Sequence, residues 1–288
     1  MNKGEILRDL LNKGTTITLP GVYDCISAIA AENAGFKCLF TSGFGIAASA
    51  YGKPDYGIIS STEMINVIKN IISSIDVPLV VDLDTGYGNS LNVEKNVSEV
   101  CSLGAAGFIL EDQVWPKRCG HMDGKQVIGS DEYLEKLLAA KYASEKYNAV
   151  IIARTDSYSV HGLDEALRRG HEYLSAGADI LFIEAPGSTE DMRTIAEEFK
   201  GHWLFANMVE GGKTPILSHK ELEKLGFKIV VYPLTGLFSS IKALTMSYNY
   251  LLINDTSAGL DEMITFSEFE NLIKLDSYKN LERKFSKE

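Results

Sequence analysis

Eight short apolar runs punctuate the chain at intervals that leave room for a helix between them. They are TITLP near 16, KCLFTSG from 37, PLVVDLDTG from 78, GFILEDQ from 107, AVIIARTD from 149, DILFIEAP from 179, WLFANMVE from 203 and KIVVYPLTG from 228. Runs without polar alternation suit strands buried on both faces, as in a parallel sheet covered by helices. The intervening segments carry helix signals. Ser60 with Glu63 and Ser218 with Glu221 read as capping boxes, and Val93, Val97, Val100 and Leu103 form an apolar stripe. Several helices are expected to end at glycine just before the next strand, in ENAGFKCLF, SLGAAGFIL, SAGADILFI and EKLGFKIVV, where glycine supplies the left-handed conformation that stops a helix. Eight such units favour a (β/α)8 barrel, an α/β fold of the TIM type, over a doubly wound sheet. From about 237 to 288 the chain continues as further helices, beyond what eight units need, so the reading is one barrel domain over 1–288 with a C-terminal helical extension that packs against a partner subunit.

At 288 residues, 45% of them hydrophobic, the chain can bury a large core. The apolar runs are strand-sized, far short of the roughly 20 residues a membrane-spanning helix requires, and MNKGEILRDLLNKG has no signal-peptide pattern, which predicts a cytoplasmic protein. Lys and Arg number 28 against 39 Asp and Glu, a net charge of −11, with no basic stripe to offset it. That argues against nucleic-acid or anionic-membrane partners. Cys25, Cys38, Cys101 and Cys119 are widely spaced and read as free thiols.

The polar residues at the strand ends carry the functional signal: Ser42 and Gly43, Asp82 and Asp84, Glu111 and Asp112, Arg154, Asp156, Glu184, Asn207 and Glu210. In a (β/α)8 barrel these ends converge on one mouth, where active sites lie. So many carboxylates in one place repel each other unless a cation compensates. Asp82, Asp84 and Glu111 are hard oxygen donors on neighbouring strands, suited to Mg²⁺ or Mn²⁺. Aspartates also cap helices and turns, and a lone DxD is a weak signal. GFGIAASAYG lacks the spacing of a dinucleotide loop; Gly43, Gly45, Gly52 and Gly57 suit the hinges of a flexible loop over the mouth. Cys119 follows the fourth strand with Lys117, Arg118 and His121 beside it, cations that are expected to lower the thiol's pKa and make it a proton donor or acceptor. Arg154 offers a forked partner for a substrate carboxylate, or else an ion pair to the barrel's own acids.

At these residues the chain resembles the isocitrate lyase and phosphoenolpyruvate mutase superfamily. The resemblance runs through TSGFG, GKPDYG, DLDTGYGN, EDQVWPKRCGH, IARTD, FIEAP, NMVEGG and YPLTG, nearly the whole chain. It implies a Mg²⁺-dependent barrel enzyme, commonly a homotetramer whose C-terminal helices are exchanged between neighbours. Ser42, Gly43 and Phe44 are then implied to hold a carboxylate or oxo group of the 2-oxo-acid half, and Asp82 and Asp84 to hold the metal directly or through water, with Asp55, Glu111 and Glu184 nearby. Arg154 clamps a carboxylate, Asn207 contacts the other half of the substrate with Gly120 and Glu184, and the loop of Lys117, Cys119, Gly120 and His121 closes over the site. Family lyases that break carbon–carbon bonds carry the K-[KR]-C-G-H loop, which this chain has, whereas the phosphonate mutases and hydrolases have other residues there.

The chemistry so implied is cleavage of the C2–C3 bond of a 2-hydroxy dicarboxylate: a base (Glu111, Asp55 or a tyrosine) takes the hydroxyl proton, Lys117 and His121 stabilise the departing enolate, and Cys119 protonates its carbon. Methylisocitrate lyases of the family often show an arginine shortly after YPL, where this chain has Leu237. That departure favours a 2-alkylmalate such as 2,3-dimethylmalate, with methylisocitrate, hydrolysis of oxaloacetate and the phosphonopyruvate-forming mutase reaction as the rivals.

Overall fold

All eight apolar runs form strands: β1 (Ile17–Val22), β2 (Leu39–Thr41), β3 (Leu79–Asp82), β4 (Gly107–Glu111), β5 (Val150–Thr155), β6 (Ile180–Ile183), β7 (Trp203–Asn207) and β8 (Ile229–Tyr232). The computed structural model describes residues 2–261 and 263–286. Each strand pairs in parallel with the next, and β8 pairs with β1, Leu19 lying opposite Val231, so the sheet closes into a barrel. The register brings strand-end side chains level: Glu111 stands opposite Arg154 across β4 and β5.

The helices begin and end where their local chemistry dictates. Ser60 and Ser218 cap the helices Ser61–Ser74 and His219–Leu225, and Glu63 and Glu221 return the bond to the cap's own N–H at 2.8 Å in both cases. Val93, Val97 and Val100 of the helix Ser90–Leu103 are fully buried, with Leu103 at the margin. The four glycines that precede strands, Gly35, Gly104, Gly177 and Gly226, have φ of 98°, 106°, 103° and 106°, a region open to glycine at little cost.

Two elements were not legible as such. The glycine-rich stretch after β2 is not a loop but a helix, Gly43–Tyr51, capped by Ser42, whose Oγ accepts from Gly45 N–H at 3.1 Å. Its glycines serve close packing: a Cβ on Gly45 would stand 2.8 Å from Tyr23 Cβ, and one on Gly43 would stand 2.8 Å from Asp82 Oδ2. The other is the first helix, Lys3–Asn12, which sends Leu7 and Leu11 into the same buried cluster as Leu19, Phe40, Val80, Ile152, Phe182 and Phe205. Arg8 fastens it with a fork to Asp179 at 2.7 and 2.8 Å.

The chain divides into two compact units, 1–236 and 237–288. The second is helical: most of Thr235–Asn254, then Phe266–Leu272 capped by Thr265 with Glu268, then Leu275–Phe285, the last two separated where Lys274 turns to φ 55°. Among the described residues no helix is long and apolar enough to cross a membrane. The four cysteines are free thiols.

Candidate active site

The C-terminal ends of the strands surround a cavity of about 540 Å³, its open mouth included. Twelve of the fourteen candidate residues line it: Ser42, Gly43, Phe44, Asp55, Asp82, Lys117, Cys119, Gly120, His121, Arg154, Glu184 and Asn207. Asp84 and Glu111 stand behind its wall, Asp84 in an adjoining cleft with Gly43, Asp55 and Lys117, and Glu111 only 1% exposed. The floor is apolar, made by Phe40, Ile109, Phe182 and Phe205, and one side is closed by Phe44, Val209, Pro233 and Leu234.

The charges are arranged around two cations. Lys117 Nζ lies 2.5 Å from Asp55 Oδ1 and 2.8 Å from Asp84 Oδ1. Arg154 donates through Nε and Nη2 to both oxygens of Asp156, at 2.8 and 3.1 Å, and lies within 3.3 Å of both Glu111 and Glu184. Its guanidinium also sits 5.3 Å above the Phe182 ring. Both readings of Arg154 from the sequence therefore have a counterpart: it faces the cavity, and the barrel's own acids hold it in place.

The loop between β4 and the helix Ser130–Ser144 covers the mouth. Its stem is an antiparallel pairing, with Gln113 opposite Val127 and Val114 N–H donating to Gln126 O at 2.8 Å. The Gln113 amide bonds both the N–H and the carbonyl of Arg118, at 3.0 and 2.9 Å, which shapes the descent to Cys119. His121 Nδ1 accepts from Lys213 N–H at 2.8 Å, so its ring proton resides on Nε2, which faces Glu184 Oε1 at 3.1 Å. Arg118, counted from the sequence among the cations around the thiol, turns outward onto Tyr56 and the Asp123 carbonyl.

That geometry corrects the expected acidity of Cys119. Burial and the Asp55 carboxylate push its thiol up to about 11, and the pull of the His121 backbone and Lys117 in the other direction is weaker. Lys117 is committed to Asp55 and Asp84, so little of its field reaches the sulfur. The thiol keeps its proton at neutral pH and is an acid, not a thiolate.

Six buried carboxylates, Asp55, Asp82, Asp84, Glu111, Asp156 and Glu184, share this mouth with three buried cations, Lys117, Lys125 and Arg154. The imbalance shows in their protonation. Burial and Asp84 raise Asp82 to about 6, and burial raises Glu111 well above the ordinary range, against the pull of Arg154. Glu184 also pays for burial, but Arg154, His121 and Lys125 outweigh it and hold it low. Glu111 Oε1 is buried with no hydrogen-bond partner. An excess of hard oxygen donors around Asp82, Asp84 and Asp55 fits a divalent cation. Among the described residues no three His, Cys, Asp or Glu side chains converge as a ready-made ligand set.

Three residues of the site lay outside the sequence reading of roles. Lys125 is buried and bonds Asp156 Oδ1 at 2.9 Å. Asp156 is the shared acceptor of Lys125 and Arg154. Asp112 holds Asp156 in turn, accepting its N–H at 2.8 Å, and is itself fixed by Thr155, Tyr173 and Arg169 at 2.7 to 2.8 Å. Asp112 and Asp156 were visible as strand-end acids, but nothing in the sequence marks Lys125.

A closed barrel whose mouth gathers a thiol, a forked cation and an excess of carboxylates has the make-up of an enzyme active site, and its relatives include enzymes named as lyases. The chain belongs to the phosphoenolpyruvate mutase and isocitrate lyase superfamily: the family model described as phosphoenolpyruvate phosphomutase matches residues 7–251. It is 40% identical to the 2,3-dimethylmalate lyase of Eubacterium barkeri over 99% of both chains, and 38% identical to the 2-methylisocitrate lyase of Aeropyrum pernix over 99% of this chain and 91% of that one. A structure of oxaloacetate acetylhydrolase with the inhibitor 3,3-difluorooxalacetate superposes with a TM-score of 0.93 at 32% identity, covering 98% of this chain and 97% of that one.

Gly120 is where lid and floor meet most tightly: a Cβ there would stand 2.5 Å from Arg154 Nη2 and 2.6 Å from Glu184 Cγ. Gly120→Ala is expected to cost roughly 100-fold in kcat/KM with the melting temperature little changed, because displacements near an ångström at reacting groups are worth about that much. Wild-type turnover in the variant would refute the packing argument.

Proposed function

We propose that the chain is a divalent-cation-dependent lyase that cleaves a 2-hydroxy dicarboxylate bearing small alkyl groups, with 2,3-dimethylmalate the leading substrate, to pyruvate and propanoate. The observation that carries this reading is the position of a thiol, Cys119, beside Lys117, Gly120 and His121 on a cavity whose floor and one wall are apolar. The cavity side formed by Val209, Pro233 and Leu234 offers no cation for a third carboxylate, which supports a dicarboxylate over a tricarboxylate.

Asp82 with Asp84 and Asp55 would hold Mg²⁺ or Mn²⁺ directly or through water, and such an ion when bound would supply charge compensation and lower the pKa of the substrate hydroxyl. The backbone of Ser42, Gly43 and Phe44 presents the N-terminus of a helix to the 2-oxo-acid half, a favourable place for an anion. Arg154 orients a carboxylate on the face opposite its own acids. The 2-hydroxyl gives its proton to a base for which Glu111, Asp55 and a tyrosine are the candidates; Asp55 lines the cavity and Glu111 stands behind its wall. As the C2–C3 bond breaks, its electron pair passes to the leaving propanoate as an enolate. Lys117 and His121 line the cavity on that side and face the charge while still shared with Asp55, Asp84 and Glu184, Gly120 and Asn207 contact the departing half beside Glu184, and Cys119 delivers a proton to carbon.

Product NMR of the protein with Mg²⁺ and separate 2,3-dimethylmalate, 2-methylisocitrate, oxaloacetate and phosphonopyruvate tests this. Pyruvate and propanoate are expected from the first, with Cys119→Ser slowing release about 100-fold or more. Turnover of oxaloacetate or phosphonopyruvate alone would move the function to a hydrolase or a mutase.

The cation also leaves a signature in stability. The folded pKa of Asp82, about 6, lies above its ordinary 3.8, so its ionised form is the one the fold resists. The stability this group contributes is present at low pH and is lost as pH rises through about 6, and a bound cation restores it while protons compete for the same oxygens. At saturating Mg²⁺ and about pH 7.5 the melting temperature is expected to rise by roughly 5–10 °C, and by much less at about pH 5. Equal shifts at both pH values would sink the assignment of Asp82 as a ligand.

The second unit exposes large apolar side chains, Leu252, Ile253 and Phe266 among them, each about 80% accessible. Together with the family resemblance, this supports a homotetramer in which the C-terminal helices are exchanged. Light scattering is expected to return four chain masses, and a monomer at micromolar concentration would overturn that assembly.

A further inference from the structure

We propose that Lys125 is a positioning residue that latches the lid: its ammonium receives the Gly120 carbonyl when the loop closes, and so sets Cys119 and His121 over the cavity. Lys125 Nζ donates to Gly120 O and, at 2.9 Å, to Asp156 Oδ1, and the side chain is buried. A lysine is drawn into an interior only where its charge is compensated and its protons have acceptors. Asp156 supplies the charge, and the Gly120 carbonyl on the loop supplies a second acceptor.

The two ends of the latch differ in how they are anchored. Lys125 directly precedes Gln126, which belongs to the antiparallel stem of the loop with Val114, so it stays with the barrel. Gly120 lies on the far reach of the loop between Cys119 and His121, and without a Cβ it comes close to Arg154 and Glu184. Asp156 joins the latch to the substrate side, because the same carboxylate that accepts from Lys125 also takes the Arg154 fork. The loop is also fastened by Lys117 on Asp55 and Asp84, by Cys119 N–H on the Asp55 carbonyl at 3.2 Å, by His121 between Lys213 N–H and Glu184, and by Asp123 on Lys213; Lys125 adds the hold on the Gly120 carbonyl next to the thiol. Removing Lys125 leaves Asp156 and Arg154 paired but frees the Gly120 carbonyl, so that the Gly120 end of the segment opens more often while the Cys119 N–H keeps its bond to Asp55.

The test compares Lys125→Met, Lys125→Gln and Lys125→Arg with the wild type, in the presence of Mg²⁺ and oxalate as a small dianionic probe. Alkylation of Cys119 by iodoacetamide, resolved by mass spectrometry from the other three cysteines, reports how often the lid is open. It is expected to quicken about tenfold or more in Lys125→Met, as loss of a charge-assisted bond implies, and to fall back toward wild type in Lys125→Arg. With 2,3-dimethylmalate, kcat is expected to fall by at least about tenfold while KM moves by less than about threefold, since closure completes the site after the substrate has entered. The turnover arm rests on the lyase reading. The alkylation arm does not, so a wrong substrate and a wrong latch give different results. Unchanged Cys119 alkylation in a folded Lys125→Met overturns the proposal. If that variant does not fold, Lys125→Gln carries the test, and wild-type alkylation there overturns it equally.

Discussion

Asp156, buried at the end of β5, is the interaction point on which the rest of the site depends. It takes both arms of the Arg154 fork and the ammonium of Lys125, and it is held below the ordinary carboxylate range although burial alone would raise it. A carboxylate inside a barrel is tolerable only with such partners, and each partner is in turn tolerable only because the carboxylate is there. The dependence reaches outward, since Asp112 fixes the Asp156 backbone and is fixed by Thr155, Tyr173 and Arg169, the last two on the helix Leu163–Ser175. A polar network fully satisfied at this depth is stiff, and it sets the mouth of the barrel in one arrangement.

The same low-dielectric interior explains why the cavity can hold an acid thiol beside so many charges. Phe182 and Phe205 belong at once to the barrel core and to the cavity floor, so the site has no water-filled layer beneath it. Burial raises Cys119, Asp82 and Glu111 alike, and at about 11 the Cys119 thiol keeps its proton at neutral pH by a wide margin. Donors and acceptors that need no reorganisation in such surroundings act more strongly than in water. The lid that supplies Lys117, Cys119 and His121 therefore contributes function and exclusion of solvent together.

Much of this was legible in the chain before any coordinates. The strands were marked by unbroken apolar runs, the helix starts by serine with glutamate at the capping spacing, and the helix ends by glycine, each a signal carried by neighbours in sequence. GFGIAASAYG differs from that pattern: its glycines suit hinges by local sequence, but Gly43 and Gly45 let the helix Gly43–Tyr51 press against Asp82 and Tyr23, contacts far away in sequence. The lowered pKa expected of Cys119 failed for a related reason. Adjacent cations in the sequence need not be adjacent in space, and here Arg118 turns outward while Lys117 is taken up by Asp55 and Asp84.

The sequence by itself determined the eight-unit barrel and the strand-end residues of the mouth, because periodicity, capping and termination are local properties that a chain carries wherever it folds. Tertiary structure alone decided which charges pair, which acids are raised and which lowered, that the thiol keeps its proton, and that Lys125 belongs to the site. Those outcomes depend on desolvation and on through-space fields between groups as distant in sequence as Asp55 and Cys119 or Lys125 and Asp156, and no local pattern encodes them.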